Sequence, residues 1–209
     1  MTSSTPILLK LKLFIVFMIA YFGFYIFPNM WHPWQAHFLP LTWVDLSVPL
    51  IPWTFILYTS DYTLFLFVIL LLQERKHFDS FVRLCFGTLI TCGFFFLFFP
   101  TTYPRPVYPE VANAFVAFLM NLVRTGDTPN NCFPSMHVAL TIGATASIRH
   151  RGKGFFLFFG TWTLLIILST LTTKQHYLMD ICGGATVASL LIYLDAKVFG
   201  RKSAGAVAP

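Results

Sequence analysis

Long apolar runs alternate with short polar ones along this chain, and six of the runs read as helices. They are Ile7 to Phe27, Leu50 to Leu72, Phe81 to Phe99, Pro134 to Ile148, Gly154 to Thr172 and Tyr177 to Phe199. A helix rises ~1.5 Å per residue, so about 20 apolar residues match a hydrocarbon core ~30 Å thick. The fourth run, with 15 residues, reaches only about 22 Å. With Arg149 held at one surface, its other end lies below the opposite headgroups. The expected fold is all-α: a polytopic six-transmembrane-helix bundle forming a single membrane-embedded domain over residues 1–209. No repeat, linker or low-complexity tract marks a second domain. Lys10 and Lys12 precede the apolar stretch of the first run, but no small-residue cleavage site follows before Pro28, Asn29 and Trp31. That run reads as a retained anchor. Between the first two runs, Trp31, Trp34, Trp43 and Trp53 accompany several prolines, as in an interfacial belt or a short surface helix.

Composition sharpens this picture. Only 11% of residues are charged and 56% are hydrophobic, against about 25% charged in soluble domains, so a soluble core is excluded and the bilayer is the first partner. The net charge is +6, yet no basic stripe interleaves with exposed aromatics, and nucleic acid is not an expected partner. Cys85, Cys92, Cys132 and Cys182 lack metal-type spacing. Most of them read as packing residues, with a Cys132–Cys182 disulfide left open.

The charges orient the bundle, because cytoplasmic loops carry the excess of Lys and Arg. A cytoplasmic N-terminus puts Lys10, Lys12, Arg75, Lys76, Arg83, Arg149, Arg151, Lys153, Lys197, Arg201 and Lys202 on the inner side. Both termini are then cytoplasmic. The outer side, facing the periplasm if the membrane is a bacterial inner membrane, or else a lumen, keeps only Arg105, Arg124 and Lys174. Solvation accounts for Arg124. Arg105, between Pro104 and Pro106, reads as an anion ligand.

Three outer segments should converge: the loop Pro100 to Phe133, the start of the fourth run and Thr172 to His176. In Phe133-Pro134-Ser135-Met136-His137, Pro134 suits the first helical position. The Ser135, Met136 and His137 amides are then free to bind an anion with the positive end of the helix dipole, and Ser135 adds a hydroxyl. A submerged anion site suits a lipid phosphate. His176 and Asp180 fall one turn apart at the start of the sixth run. A carboxylate that orients an imidazole leaves its other nitrogen as nucleophile or base, and His137 is available as general acid. Arg105, Ser135 and Lys174 are candidate phosphate ligands for phosphoryl transfer.

These residues resemble the type 2 phosphatidic acid phosphatase superfamily, six-helix lipid phosphatases related to vanadium haloperoxidases. The family's proline-serine-glycine-histidine motif appears as Pro134-Ser135-Met136-His137. Its last motif, serine-arginine, five residues, histidine, three residues and aspartate, appears as Ser169-Thr170, His176 and Asp180, with threonine replacing the arginine. Its first motif is matched at Arg105-Pro106, with Phe98 at the lysine position. The resemblance covers residues 81–199. It implies a cofactor-free lipid-phosphate phosphatase in which His176 is the nucleophile, Asp180 its orienting partner and His137 the general acid. Lys174 would replace one of the two missing charges. The string Thr173-Lys174-Gln175-His176-Tyr177 is similar to the branch containing inositol phosphorylceramide and sphingomyelin synthases, which implies transfer of a phospho-headgroup to a lipid alcohol as the alternative.

Three blander readings stand beside it. His137, His176 and Asp180 could ligate a divalent metal, although Arg105 and Lys174 would repel a cation. The bundle could be a transporter or scaffold whose histidines only satisfy buried hydrogen bonds. Asp61, in the middle of the second run, should face the bundle interior. There it could serve function, or Ser60, Tyr62 and Thr63 could simply satisfy it. Gly183 and Gly184 read as close-packing positions between helices.

Overall fold

The computed structural model describes residues 4–31 and 34–199. Arg201 and Lys202, assigned above to the inner side, lie outside the described residues. Among the described residues eight helices follow in order: α1 (Ile7–Met30), α2 (Trp43–Ser47), α3 (Pro52–Leu71), α4 (Arg75–Phe98), α5 (Ala114–Gly126), α6 (Met136–Ser147), α7 (Lys153–Thr172) and α8 (Leu178–Val198). Two-residue strands β1 (His37–Phe38) and β2 (Thr101–Thr102) pair in parallel and tie the first loop to the end of α4. Helices α1, α3, α4, α7 and α8 are long and apolar enough to cross a membrane, so the chain is an integral membrane protein.

The expected fourth span is shorter than the sequence suggested. Helix α6 has 12 residues, about 18 Å, and does not reach spanning length. Ser135 is extended, and its Oγ accepts the Val138 N–H at 3.2 Å, which makes Ser135 the N-cap and leaves Pro134 outside the helix. At the other end Ile148 leaves helical geometry, and a tight turn over Arg149–Arg151 leads to Gly152 at φ 107°.

Short as it is, α6 sits at the centre, packed by α3, α4, α7 and α8. Lipid tails are as apolar as leucine, so helices in a bilayer associate through close packing and interhelical hydrogen bonds. Helix α6 is built for this. Ala139, Thr141, Gly143, Ala144, Thr145 and Ser147 are buried, and Thr145 shares a 2.6 Å hydroxyl bond with Thr163 of α7. Phe81 and Cys85 of α4, Leu64 and Val68 of α3 and Ile166 of α7 close one core around Ala144 and Ile148.

Two features were not legible as elements. The segment Pro100 to Phe133, expected as loop, contains α5, capped by the Asn113 side chain on the Phe115 and Val116 amides. Val116, Leu119 and Met120 are buried, while Phe115, Phe118 and Leu122 are exposed. Helix α3 also breaks: its α-helical turns stop at Thr59 and resume at Asp61. The Ser60 hydroxyl donates back to Leu57 at 2.6 Å and accepts the Trp162 indole N–H at 2.8 Å.

The closest approach of α8 to α6 depends on Gly184, where a Cβ would collide with the Ser135 carbonyl oxygen and lie 3.1 Å from Val138 Cβ. Gly184→Ala is therefore expected to cost about 1–3 kcal/mol through overpacking and to lower the thermal midpoint in detergent. Gly160→Ala is the control: nothing lies within 4 Å of that position, so the midpoint should hold or rise slightly.

Candidate active site

The N-termini of α6 and α8 meet at one backbone bond, in which the Ser135 N–H donates to the Asp180 carbonyl at 3.0 Å. Asp180 is fully buried. One carboxylate oxygen accepts the Tyr177 N–H at 3.0 Å and faces His176 Nδ1 at 3.4 Å, and the other accepts the Tyr103 hydroxyl at 3.1 Å. His176 lies just outside the helix, at the end of the loop Thr172 to His176. It precedes the extended N-cap Tyr177, and the Thr170 carbonyl at the end of α7 accepts both the Gln175 and His176 amides. The four-residue spacing still delivers the contact because Asp180, in the first helical turn, reaches back across the cap. With Nδ1–H on Asp180, the lone pair of His176 is at Nε2.

The anion site at α6 is narrower than the sequence implied. Of the three amides expected to be free, that of Ser135 is engaged by Asp180. Those of Met136 and His137 donate to no protein group among the described residues. Ser135 is fully buried. Its oxygen accepts from Val138, which leaves its hydroxyl proton to donate.

His137, on the first turn of α6, is brought to a partner the sequence did not assign. Its Nδ1 lies 3.6 Å from Asp61 Oδ2 of α3, and its ring stacks on Tyr58 at 4.4 Å and 17°. Its Nε2 is buried with no hydrogen-bond partner among the described residues.

Arg105 donates to the carbonyls of Asp127 and Thr128 at 2.7 and 3.3 Å, with the Asp127 carboxylate 3.7 Å away. Asp127 also accepts from Tyr25 and Asn29 of α1. Burial pushes its carboxyl above the usual range, opposed first by the Arg105 guanidinium and also by His176, so Arg105, Asp127 and His176 share one electrostatic neighbourhood. Sequence reasoning missed Asp127, because an acid in a polar loop carries no mark of burial.

Lys174 is turned elsewhere. It sits at φ 55°, a left-handed conformation costing roughly 1–2 kcal/mol for a residue with a Cβ, and its ammonium donates to the Asp45 and Val48 carbonyls at 2.8 and 2.5 Å. Asp45, also missed, accepts the Leu178 N–H at 2.7 Å. Its signal was the pattern Thr42-x-x-Asp45, which forms a capping box on α2. The pair clamps the first loop onto the start of α8. Arg124 lies over the Tyr108 ring at 4.8 Å. Phe98, at the position of the resembled family's lysine, is exposed, and Thr170 is fully buried. All four cysteines are free, so Cys132 and Cys182 are not joined.

A membrane-embedded helical protein with a histidine–aspartate pair beside a capped helix N-terminus defines the class. The chain belongs to the PAP2 superfamily, whose family model matches residues 36–194 and so takes in every site residue named above. Its members are phosphatases and phosphotransferases, and the chain is an enzyme of that phosphatase type. Neither the curated proteins nor the solved structures contain a match to it.

Arg105 is held against Asp127, and a guanidinium grips phosphate oxygens through two parallel bonds. Hydrogen bonds to charged groups contribute about 1.5–3 kcal/mol. Arg105→Lys is accordingly expected to lower kcat/KM for a lipid phosphate roughly tenfold to a hundredfold. An unchanged kcat/KM would remove the bidentate role.

Proposed function

We propose that the chain is a metal-independent lipid-phosphate phosphatase working through a phosphohistidine at His176, on the non-cytoplasmic face of a six-helix bundle in which α6 is the short, submerged fourth helix. The observation that carries the reading is the Asp180 hub, which holds His176 by its carboxylate and Ser135, the cap of α6, by its carbonyl.

In the first half-reaction, Nε2 of His176 attacks phosphorus, the bond from phosphorus to the lipid oxygen breaks, and protonated His137 gives that oxygen its proton. Asp180 stabilises the positive charge gained by the His176 ring. The phosphoryl oxygens are met by Arg105, the Ser135 hydroxyl and the Met136 and His137 amides, donors fixed in place before reaction. In the second half-reaction water attacks phosphorus, His137 takes its proton, and the P–N bond breaks to release phosphate. Lys174 supports this site by anchoring the loop before His176.

Transfer to a lipid alcohol is the second reading, favoured by burial: His176 is only 8% exposed, and Asp180 and Ser135 are not exposed at all. Purified protein incubated with labelled lipid phosphates, with and without candidate alcohols, separates the two. Free phosphate supports hydrolysis, a new phospholipid supports transfer, and neither product overturns both.

Orientation has its own test. In a Cys182→Ser background, Glu110→Cys should label with an impermeant thiol reagent on intact cells and Arg151→Cys should not. The reverse pattern would place the site on the cytoplasmic face.

A further inference from the structure

Asp61 is a carboxylate in the middle of a membrane span, where an ionisable group is costly unless it has a partner or a task. The side chains beside it do not satisfy it. Ser60 is engaged with Leu57 and Trp162, Tyr62 is 74% exposed, and the local hydrogen bond to the carboxylate comes from the Tyr62 backbone N–H to Oδ1 at 2.8 Å. The other oxygen, Oδ2, lies 3.6 Å from Nδ1 of His137. That distance is just beyond a direct hydrogen bond, as catalytic contacts often are before substrate tightens them. The break in α3 at Ser60 and the stacked Tyr58 ring, one helical turn earlier, bring the carboxylate and the plane of the imidazole together. The opposite nitrogen, Nε2, is buried and has no partner among the described residues.

We infer that Asp61 is a positioning residue for His137, forming with it a second histidine–aspartate pair opposite the His176–Asp180 pair. This deepens the proposed function and rests on it. Asp61 Oδ2 accepts Nδ1–H, which fixes the tautomer and assigns the travelling proton to Nε2. Nε2–H passes its proton to the ester oxygen as the P–O bond breaks, and Nε2 then takes a proton from water as the P–N bond breaks. Tyr58 holds the ring plane through both steps. The two pairs divide the work: one binds the phosphoryl group and the other moves the proton.

The test compares leaving groups. A dialkylglycerol phosphate expels an alkoxide that needs a proton, whereas 4-nitrophenyl phosphate expels a phenolate that does not. In Asp61→Asn, turnover of the lipid phosphate is expected to fall about tenfold to a hundredfold, with the loss in kcat and KM within about twofold. The first-turnover release of 4-nitrophenolate, which reports formation of the phosphoenzyme alone, should stay within about twofold of the parent protein, and Asp61→Glu should recover part of the lipid activity. An equal loss in that first turnover and in formation of the phosphoenzyme from the lipid, a loss confined to KM, or no loss at all would overturn the assignment. If the aryl ester is not turned over by the parent protein, the kcat-against-KM split and the Asp61→Glu recovery decide alone. His176→Ala separates this from failure of the underlying reading: if that variant keeps full activity the proposed function falls, whereas if it is inactive and Asp61→Asn is normal only this inference falls.

Discussion

His176→Ala is expected to lose turnover of a lipid phosphate by about 10,000-fold or more, because the proposed mechanism gives its Nε2 the covalent bond to phosphorus and not just a contact. A phosphoenzyme trapped by acid quench from labelled substrate should disappear in the same variant. The loss should not come from unfolding. His176 holds its backbone through the Thr170 carbonyl, and Asp180 keeps the Tyr177 amide and Tyr103 hydroxyl when the imidazole is gone. Elution and thermal midpoint in detergent should therefore match the parent protein. A His176→Ala protein that keeps its activity would end the phosphohistidine proposal, and abolition of the parent activity by chelator alone would end the metal-independent form of it.

His137→Gln is expected to lower turnover by about 100- to 10,000-fold, the range typical of general acid–base catalysis. Glutamine fills much of the same volume against Tyr58 but carries no titratable proton. The phosphoenzyme should still form slowly from an aryl ester, whose leaving group departs without help. A loss of less than about tenfold on the lipid substrate would move His137 from acid catalysis to phosphate binding through its backbone amide. The two variants thus divide the reaction at its covalent intermediate. His176→Ala prevents the intermediate from forming, and His137→Gln slows both its formation and its breakdown.

The outer cations illustrate how residue type and residue role diverge. Arg105 and Lys174 looked equivalent as basic residues retained against the charge rule. Arg105 lies against Asp127 in the neighbourhood of His176, whereas Lys174 closes the loop before His176 onto Asp45 and Val48. A cation two residues from the proposed nucleophile is directed away from it by a left-handed backbone. No pattern of neighbouring residues announces that turn.

What the sequence determined by itself was whatever depends on neighbours along the chain. Run length against bilayer thickness gave six apolar helices, the fourth of them short, and five of them are of spanning length in the structure. The four-residue spacing of His176 and Asp180 gave their pairing, although His176 lies just outside the helix, and Pro134-Ser135 marked where α6 begins, although the sequence did not assign Ser135 as its cap. These survive because the local chain restricts distances between residues a few positions apart, whatever surrounds them. Tertiary structure alone decided the rest. The break at Ser60 turns Asp61 toward His137, the Gly184 contact sets the approach of α8 to α6, Asp45 is buried, and Asp127 is half-buried against Arg105, Tyr25 and Asn29. Helix α5 stands between the two cases. Its apolar spacing at Val116, Leu119 and Met120 was present in the sequence, but a helix of 13 residues is marginal in isolation and forms here by packing on Phe55 and Tyr108. The pairings between distant segments depend on which helix faces which, and that is set by close packing of small residues and by cross-chain hydrogen bonds, not by the periodicity of any one run.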